Sequence, residues 1–271
     1  MVCREHYPTQ GATLRGEKTI HDFGGKVVFV SGATSGIGWS VAKAFQANGA
    51  RVVGTGRDQD RLAMLAQEID LAFTMDVTDS QSVDIALSAA QDVVGPIDIL
   101  VNNAGIGLFR EWDSTDVSDV QRVMDVNMMG VVRLTKAVLP GMIARGHGTI
   151  VQVASVAARR GYPQHTAYCA SKHALLGWSR ALRKEVAPKG VGVTVVCPPA
   201  VDTPFFARAG APESMIKPAA MISADRVASA LMDAVTRNQR CRIVGRRARL
   251  LDRIDRFAPS AMDQLQRWKH R

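Results

Sequence analysis

The run Lys26 to Ser31 (Lys-Val-Val-Phe-Val-Ser) passes directly into Gly32-Ala-Thr-Ser-Gly36-Ile-Gly38, and a helical pattern follows. Continuous apolar residues without polar alternation mark a strand buried on both faces. In the helix, Ile37, Val41, Ala44 and Phe45 share one stripe, and Asn48-Gly49 stops it. The same alternation continues. Strands are expected at Arg51–Thr55, Leu71–Met75, Ile97–Asn102, Thr149–Ala154, Val191–Val196 and Cys241–Val244. Helices are expected at Arg61–Ile69, Gln81–Val94, Val117–Arg145, Ala167–Val186 and Asp225–Arg237, with a Pro-rich loop from Pro198 to Pro218. Apolar strands alternating with helices specify an α/β chain, a doubly wound parallel sheet covered on both faces.

At 271 residues and 46% hydrophobic content, one such sheet can bury a large core. No apolar run approaches the ~18 residues of a membrane span, and Met1 to Lys26 is too polar for a secretory core. Cys3, Cys169, Cys197 and Cys241 show neither metal spacing nor a disulfide framework. A soluble cytoplasmic protein without a metal is expected. Three regions are expected: an extension over 1–25, the α/β domain over 26–245, and a basic helical extension over 246–271. The net charge of +9 gathers in that last part. Arg237 to Arg271 holds 11 Lys/Arg against three Asp, and the remainder is nearly neutral. The main body therefore lacks a nucleic-acid footprint.

Glycines at a first strand-to-helix turn permit a tight bend and let backbone N–H groups and the helix N-terminus approach a pyrophosphate. Gly32, Gly36 and Gly38 occupy that place, so a dinucleotide is expected. An NAD site would put a carboxylate after the second strand, facing the ribose 2′-hydroxyl. Here the sequence reads Gly54-Thr55-Gly56-Arg57, and a guanidinium suits a 2′-phosphate. NADP(H) is favoured, NAD(H) remains possible, and the adjacent Asp58 weakens the preference. Asp76, ending the third strand, can accept from the adenine amino group or cap the following helix.

Tyr168 and Lys172 stand four apart, one turn along a helix face. An ammonium beside a phenol is expected to lower its pKa from ~10 and suit Tyr168 to general acid–base work.

Taken in order, Gly32-x-x-x-Gly36-x-Gly38, Asn102-Asn103-Ala104-Gly105, Asn127, Ser155, Tyr168 and Lys172 resemble the short-chain dehydrogenase/reductase family over about residues 26–245. The glycine spacing is similar to that of its compact branch, with a single Rossmann-like domain. The resemblance implies that Ser155 bonds the substrate carbonyl oxygen and Tyr168 protonates it. Lys172 would bond the nicotinamide ribose and lower the Tyr168 pKa, and Asn127 would hold a relay water. The implied cofactor contacts are Gly32, Thr34, Ser35, Gly36, Ile37, Gly38, Arg57, Asp76, Val77, Asn103, Ala104, Gly105, Tyr168, Lys172, Pro198, Val201 and Thr203. Asn102 would support the sheet. Two departures stand out: Ser31 replaces the usual Thr, and Pro199 replaces a Gly after the sixth strand, removing an N–H. A homodimer or homotetramer is also implied.

The segments expected to face the substrate carry Leu108, Phe109, Trp112, Tyr162, Phe205, Phe206, Met215, Ile216 and Met221. That lining suits a lipophilic carbonyl or alcohol, with Arg159 and Arg160 available to an anionic group and no role required of His165. From Arg246 to Phe257, Leu250, Leu251, Ile254 and Phe257 form an apolar stripe among arginines, which Leu265 and Trp268 extend. Such a helix can dock on its own core or a sister subunit, lie on an anionic membrane, or bind a partner. A catalytically idle, nucleotide-sensing or surface-binding relative is the alternative to an enzyme.

Overall fold

The structure, a computed structural model, describes residues 22–212, 215, 218–258 and 260. The expectations for Cys3, Ile216, Leu265 and Trp268 lie outside the described residues. Seven parallel strands form one sheet: β1 (Val27–Ser31), β2 (Arg51–Gly56), β3 (Leu71–Thr74), β4 (Ile99–Asn102), β5 (Gly148–Val153), β6 (Val191–Cys197) and β7 (Cys241–Ile243). Their order is β3-β2-β1-β4-β5-β6-β7. Val28 pairs with Val52 on one side and Ile99 on the other, so β1 is central and the order reverses between β1 and β4. Ligands of open α/β sheets bind outside the strand C-termini at such a reversal.

Helices cover both faces: α1 (Gly36–Ala47), α2 (Gln59–Leu65), α3 (Ser80–Val94), α4 (Val117–Met124), α5 (Gly130–Arg145), α6 (Thr166–Val186), α7 (Phe205–Arg208), α8 (Ala224–Thr236) and α9 (Arg246–Phe257). Alternate residues of β1 serve opposite cores. Val28 and Val30 pack with Val41 and Phe45 of α1 and Val227 and Leu231 of α8. Val27 and Phe29 join Leu87 of α3, Leu134 of α5 and Leu182 of α6. Arg183 on α6 ties the far edge, donating to the carbonyl of Val193 and to Asn238 at Oδ1 (3.0 Å) and the backbone oxygen (2.9 Å).

Three features differ from expectation. Phe23, placed by sequence in a loosely docked extension, is buried and meets the Phe45 ring edge-on at 5.0 Å. The helix expected over Val117–Arg145 is interrupted at Asp125–Met129 by a π-helical turn. The Pro-rich loop contains the short α7.

Candidate active site

Ser155 follows β5, where Ala154 N–H donates to the Val196 carbonyl at 2.8 Å and Val156 N–H to that of Pro198 at 3.0 Å. These bonds hold Ser155 beside the exit of β6. Tyr168 lies in the first turn of α6, near enough to the Ser155 side chain for that hydroxyl to favour its ionised form. Lys172, a turn further, donates from Nζ to the Val153 carbonyl at 3.0 Å, with Nζ 5.7 Å from the Tyr168 ring centre. All three are buried. The fold thus brings together residues from two elements that the sequence could only set in order.

The expected electrostatics are corrected. Burial raises the Tyr168 pKa well above its ordinary value, and the neighbouring Ser155 hydroxyl opposes this only in part. Burial also lowers Lys172 to about 8. Removal from water disfavours the charged form of both groups. The phenol is therefore held protonated.

Asn127 sits within the π turn, fully buried. Its Oδ1 accepts from Ile106 N–H (2.8 Å), and its Nδ2 donates to the Ile106 carbonyl (2.9 Å) and Ser171 Oγ (3.0 Å). Both side-chain amide N–H groups thus go to protein. They fix the loop after β4 against α6.

The glycine turn is locked from beneath. Asn103 Nδ2 donates to the carbonyls of Ser31 (3.1 Å) and Gly32 (2.9 Å), and Ser31 Oγ accepts from the N–H groups of Asn103 (3.1 Å) and Ala104 (3.2 Å). The hydroxyl kept at Ser31 explains why Ser serves in place of Thr. Gly32 and Gly36 have φ of +66° and +54°. A Cβ on Gly38 would lie 2.2 Å from the Gly32 carbonyl oxygen, and one on Gly36 2.8 Å from Thr203. The Ser35 side chain does not cap α1, and Arg208 donates to its Oγ at 2.8 Å. The first-turn amides of α1 thus sit in a cradle too tight for side chains, which fits a pyrophosphate.

Arg57, at the end of β2, lies 3.4 Å from Asp76 Oδ2 and is largely exposed. Asp58 faces elsewhere: its side chain accepts from Arg61 N–H at 3.1 Å as the cap of α2. Burial would raise the Asp76 pKa, but hydrogen bonds from Thr78 and the nearby Arg57 hold it below the usual value. Asp79 caps α3, so Asp76 is not that helix's cap. Val77 packs against Gly130, and its carbonyl accepts from Arg133 at 3.3 Å. A cleft of about 480 Å³ runs beside Arg57, lined also by Thr78, Ile106, Gln121, Arg122, Asp125 and Val126. Across the site, Val201 bridges to Ile222, and Thr203 Oγ1 is 3.4 Å from the Val201 carbonyl.

The substrate-side expectation holds in part. Phe109, Tyr162, Phe205, Phe206 and Met215 join Tyr168 in one cluster, with ring centres of Phe109 and Phe205 5.8 and 5.7 Å from that of Tyr168. Leu108 instead packs with Val123 and Ala167, and Trp112 is exposed. Arg159 is paired with Asp252 and Arg160 with the Tyr162 hydroxyl, so neither stands open for an anion as expected. Sequence reasoning missed Arg208 and Ser31 as structural contacts of the glycine turn; no local spacing announces either.

A family profile described as short chain dehydrogenase matches residues 26–214. The chain belongs to the short-chain dehydrogenase/reductase family. Among its curated relatives, a ketoacyl reductase, HetN, of Nostoc sp. is 31% identical over 259 residues, covering 90% of this chain and 89% of that protein. A 3-ketodihydrosphingosine reductase of Bos taurus is 37% identical over 205 residues, 72% of this chain and 60% of its own length. The chain spans 58% of the length of another relative, dehydrogenase/reductase SDR family member 7B of Xenopus laevis. An alcohol dehydrogenase from Thermococcus sibiricus, complexed with 5-hydroxy-NADP, superposes with TM-score 0.72 at 26% identity, covering 81% of this chain and 94% of that one. A family member from Burkholderia phymatum, in complex with NAD, shares the fold at TM-score 0.80 and 24% identity over 89% and 96% of the two chains.

Proposed function

We propose that the protein is an NADP(H)-dependent oxidoreductase that interconverts a carbonyl and an alcohol on a lipophilic substrate. The observation that carries this reading is the buried Ser155–Tyr168 hydroxyl pair, with Lys172 one turn away and the glycine cradle alongside. A bound nicotinamide supplies or accepts the hydride. The glycine turn and the α1 N-terminus would hold the pyrophosphate, Arg57 the 2′-phosphate and Asp76 with Val77 the adenine. Lys172 would bond the nicotinamide ribose and Thr203 the carboxamide.

The protein's own part concerns the oxygen. As a carbonyl carbon is reduced, negative charge grows on its oxygen, and the Ser155 and Tyr168 hydroxyls can meet it with hydrogen bonds. Tyr168 is held neutral by burial and so has a proton to give. Lys172 can then steady the phenolate and return a proton. Asn127 positions Gly105 and Ile106 beside it. The cluster of Phe109, Phe205 and Phe206 favours an apolar substrate body, and the keto-substrates named for two relatives point the same way. The free thiols of Cys169, Cys197 and Cys241 fit a reducing, cytoplasmic setting. A homo-oligomer accords with the family.

A panel of lipophilic ketones and alcohols with NADPH, NADH and their oxidised forms tests the reading. Tyr168→Phe should lower kcat by roughly 10²–10⁴-fold, as for loss of a general acid, while NADPH still binds. Binding with no turnover of any substrate by the wild type would instead favour the idle relative. Arg57→Asp should shift the kcat/KM ratio from NADPH towards NADH by about tenfold or more, the worth of one charge-assisted contact. An unchanged ratio removes the NADP(H) preference.

A further inference from the structure

An amphipathic helix normally buries its apolar stripe, yet α9 is attached by its other side. Asp252 turns inward and is paired with Arg159, whose terminal nitrogen lies 2.9 Å from Oδ2. Asp255 and Leu251 are half-buried beside it, and Ala248 packs against the cluster that holds Ile243. Outward point Leu250, Ile254 and Phe257, which are 58%, 37% and 82% exposed. Spaced four and three apart, they form one stripe. Arg246, Arg247 and Arg253 are exposed on the same helix. With both helix acids turned towards the body, the outward face carries apolar groups and positive charge.

We propose that this face docks on an anionic lipid surface. Its composition is that of a helix lying in a membrane interface: an apolar stripe entering the acyl boundary and arginines meeting phosphate headgroups. Among the described residues no helix is long and apolar enough to cross a membrane. A second copy of the chain fits less well. It would set arginines against arginines, and three side chains on one short helix fall well below the roughly 800 Å² per partner of a stable interface.

The docked helix is also joined to the site. Arg159, its ion-pair partner, lies four residues after Ser155, and neighbouring Arg160 bonds Tyr162 of the aromatic cluster. Docking would therefore set the substrate wall near the surface where lipophilic molecules dissolve. This last consequence rests on the lipophilic-substrate reading; the docking itself does not.

The experiment is co-sedimentation of the full-length protein with phosphatidylcholine vesicles, with and without phosphatidylglycerol, at low and high salt. Binding should rise about tenfold or more with phosphatidylglycerol and fall at high salt, as counter-charge attraction requires. Phe257→Asp and Ile254→Asp should each cut it several-fold. Both side chains are exposed, so melting temperature and NADPH binding should stay unchanged. Replacing Arg246, Arg247 and Arg253 together by Gln should remove only the phosphatidylglycerol-dependent part. Equal sedimentation with both vesicle types, or wild-type binding by Phe257→Asp, overturns the proposal. A change of oligomeric mass in Phe257→Asp without loss of vesicle binding overturns it in favour of a second copy. Vesicle binding is read without turnover, so a failed activity panel leaves this result standing, and the reverse.

Discussion

Lys172 places an ammonium where 4% of its surface meets solvent and gives it the Val153 carbonyl at 3.0 Å. One neutral acceptor does not replace water around a full charge, so its pKa falls from 10.5 to about 8. Between those values the unfolded chain binds more protons than the folded one, and the stability of the fold rises with pH. Below about 8 the burial penalty is complete; above the unfolded value it is gone. Lys172→Met removes the charge at similar length. Thermal unfolding of the two proteins from neutral pH towards pH ~10, short of phenol ionisation in the unfolded chain, should show the wild type gaining on the variant. A constant difference would mean that Lys172 is solvated in the folded protein. The identities of Ser155, Tyr168 and Lys172 were legible in the sequence because their order and spacing are covalent facts. The direction of the Tyr168 shift was not, because it depends on how thoroughly the phenol is buried by Phe109, Phe205 and other residues distant along the chain.

The β-strands were legible within one or two residues, since an apolar run of five or six residues has few other fates in a chain of this pattern. The break between α4 and α5 was not. Its cause is tertiary: Asn127 must reach Ile106 and Ser171 at once, and the π turn accommodates that reach. The glycines give the sharpest contrast between identical changes in different elements. At Gly38, a Cβ would meet the Gly32 oxygen at 2.2 Å and Asn103 Nδ2 at 2.5 Å. Backbone cannot yield as a flexible side chain can, so Gly38→Ala should cost about 1–3 kcal/mol, typical of overpacking, and weaken NADPH binding. At Gly177, inside α6, nothing lies within 4 Å of the added carbon. Gly177→Ala should add about 0.5–1 kcal/mol through helix propensity. Denaturant unfolding and a cofactor titration of the two variants read both signs. Equal effects would show that the turn's tight packing is not what selects Gly38.

At the scale of the whole molecule, the sheet and the attachment of α9 rest on different interactions. The sheet is held by two continuous apolar cores. By contrast, α9 has no buried residue, and one tie to the body is the pair between Arg159 and Asp252, whose side chains are only 17% and 16% exposed. Apolar periodicity in the sequence identified the helix but left open which face is attached, because Arg159, the partner of Asp252, is distant along the chain. Asp252→Asn keeps the shape and one acceptor but removes the charge opposite Arg159. Loss of a charge-assisted pair in this half-buried setting costs about 1–3 kcal/mol, and tenfold in an opening equilibrium corresponds to about 1.4 kcal/mol. Hydrogen exchange should therefore show α9 amides losing roughly tenfold or more of their protection, while amides of β1, β4 and β5 keep theirs, since local opening need not pass through global unfolding. A uniform loss across the sheet would mean that α9 belongs to the same cooperative unit as the core. Unchanged protection in α9 would mean that the ion pair is not what holds it.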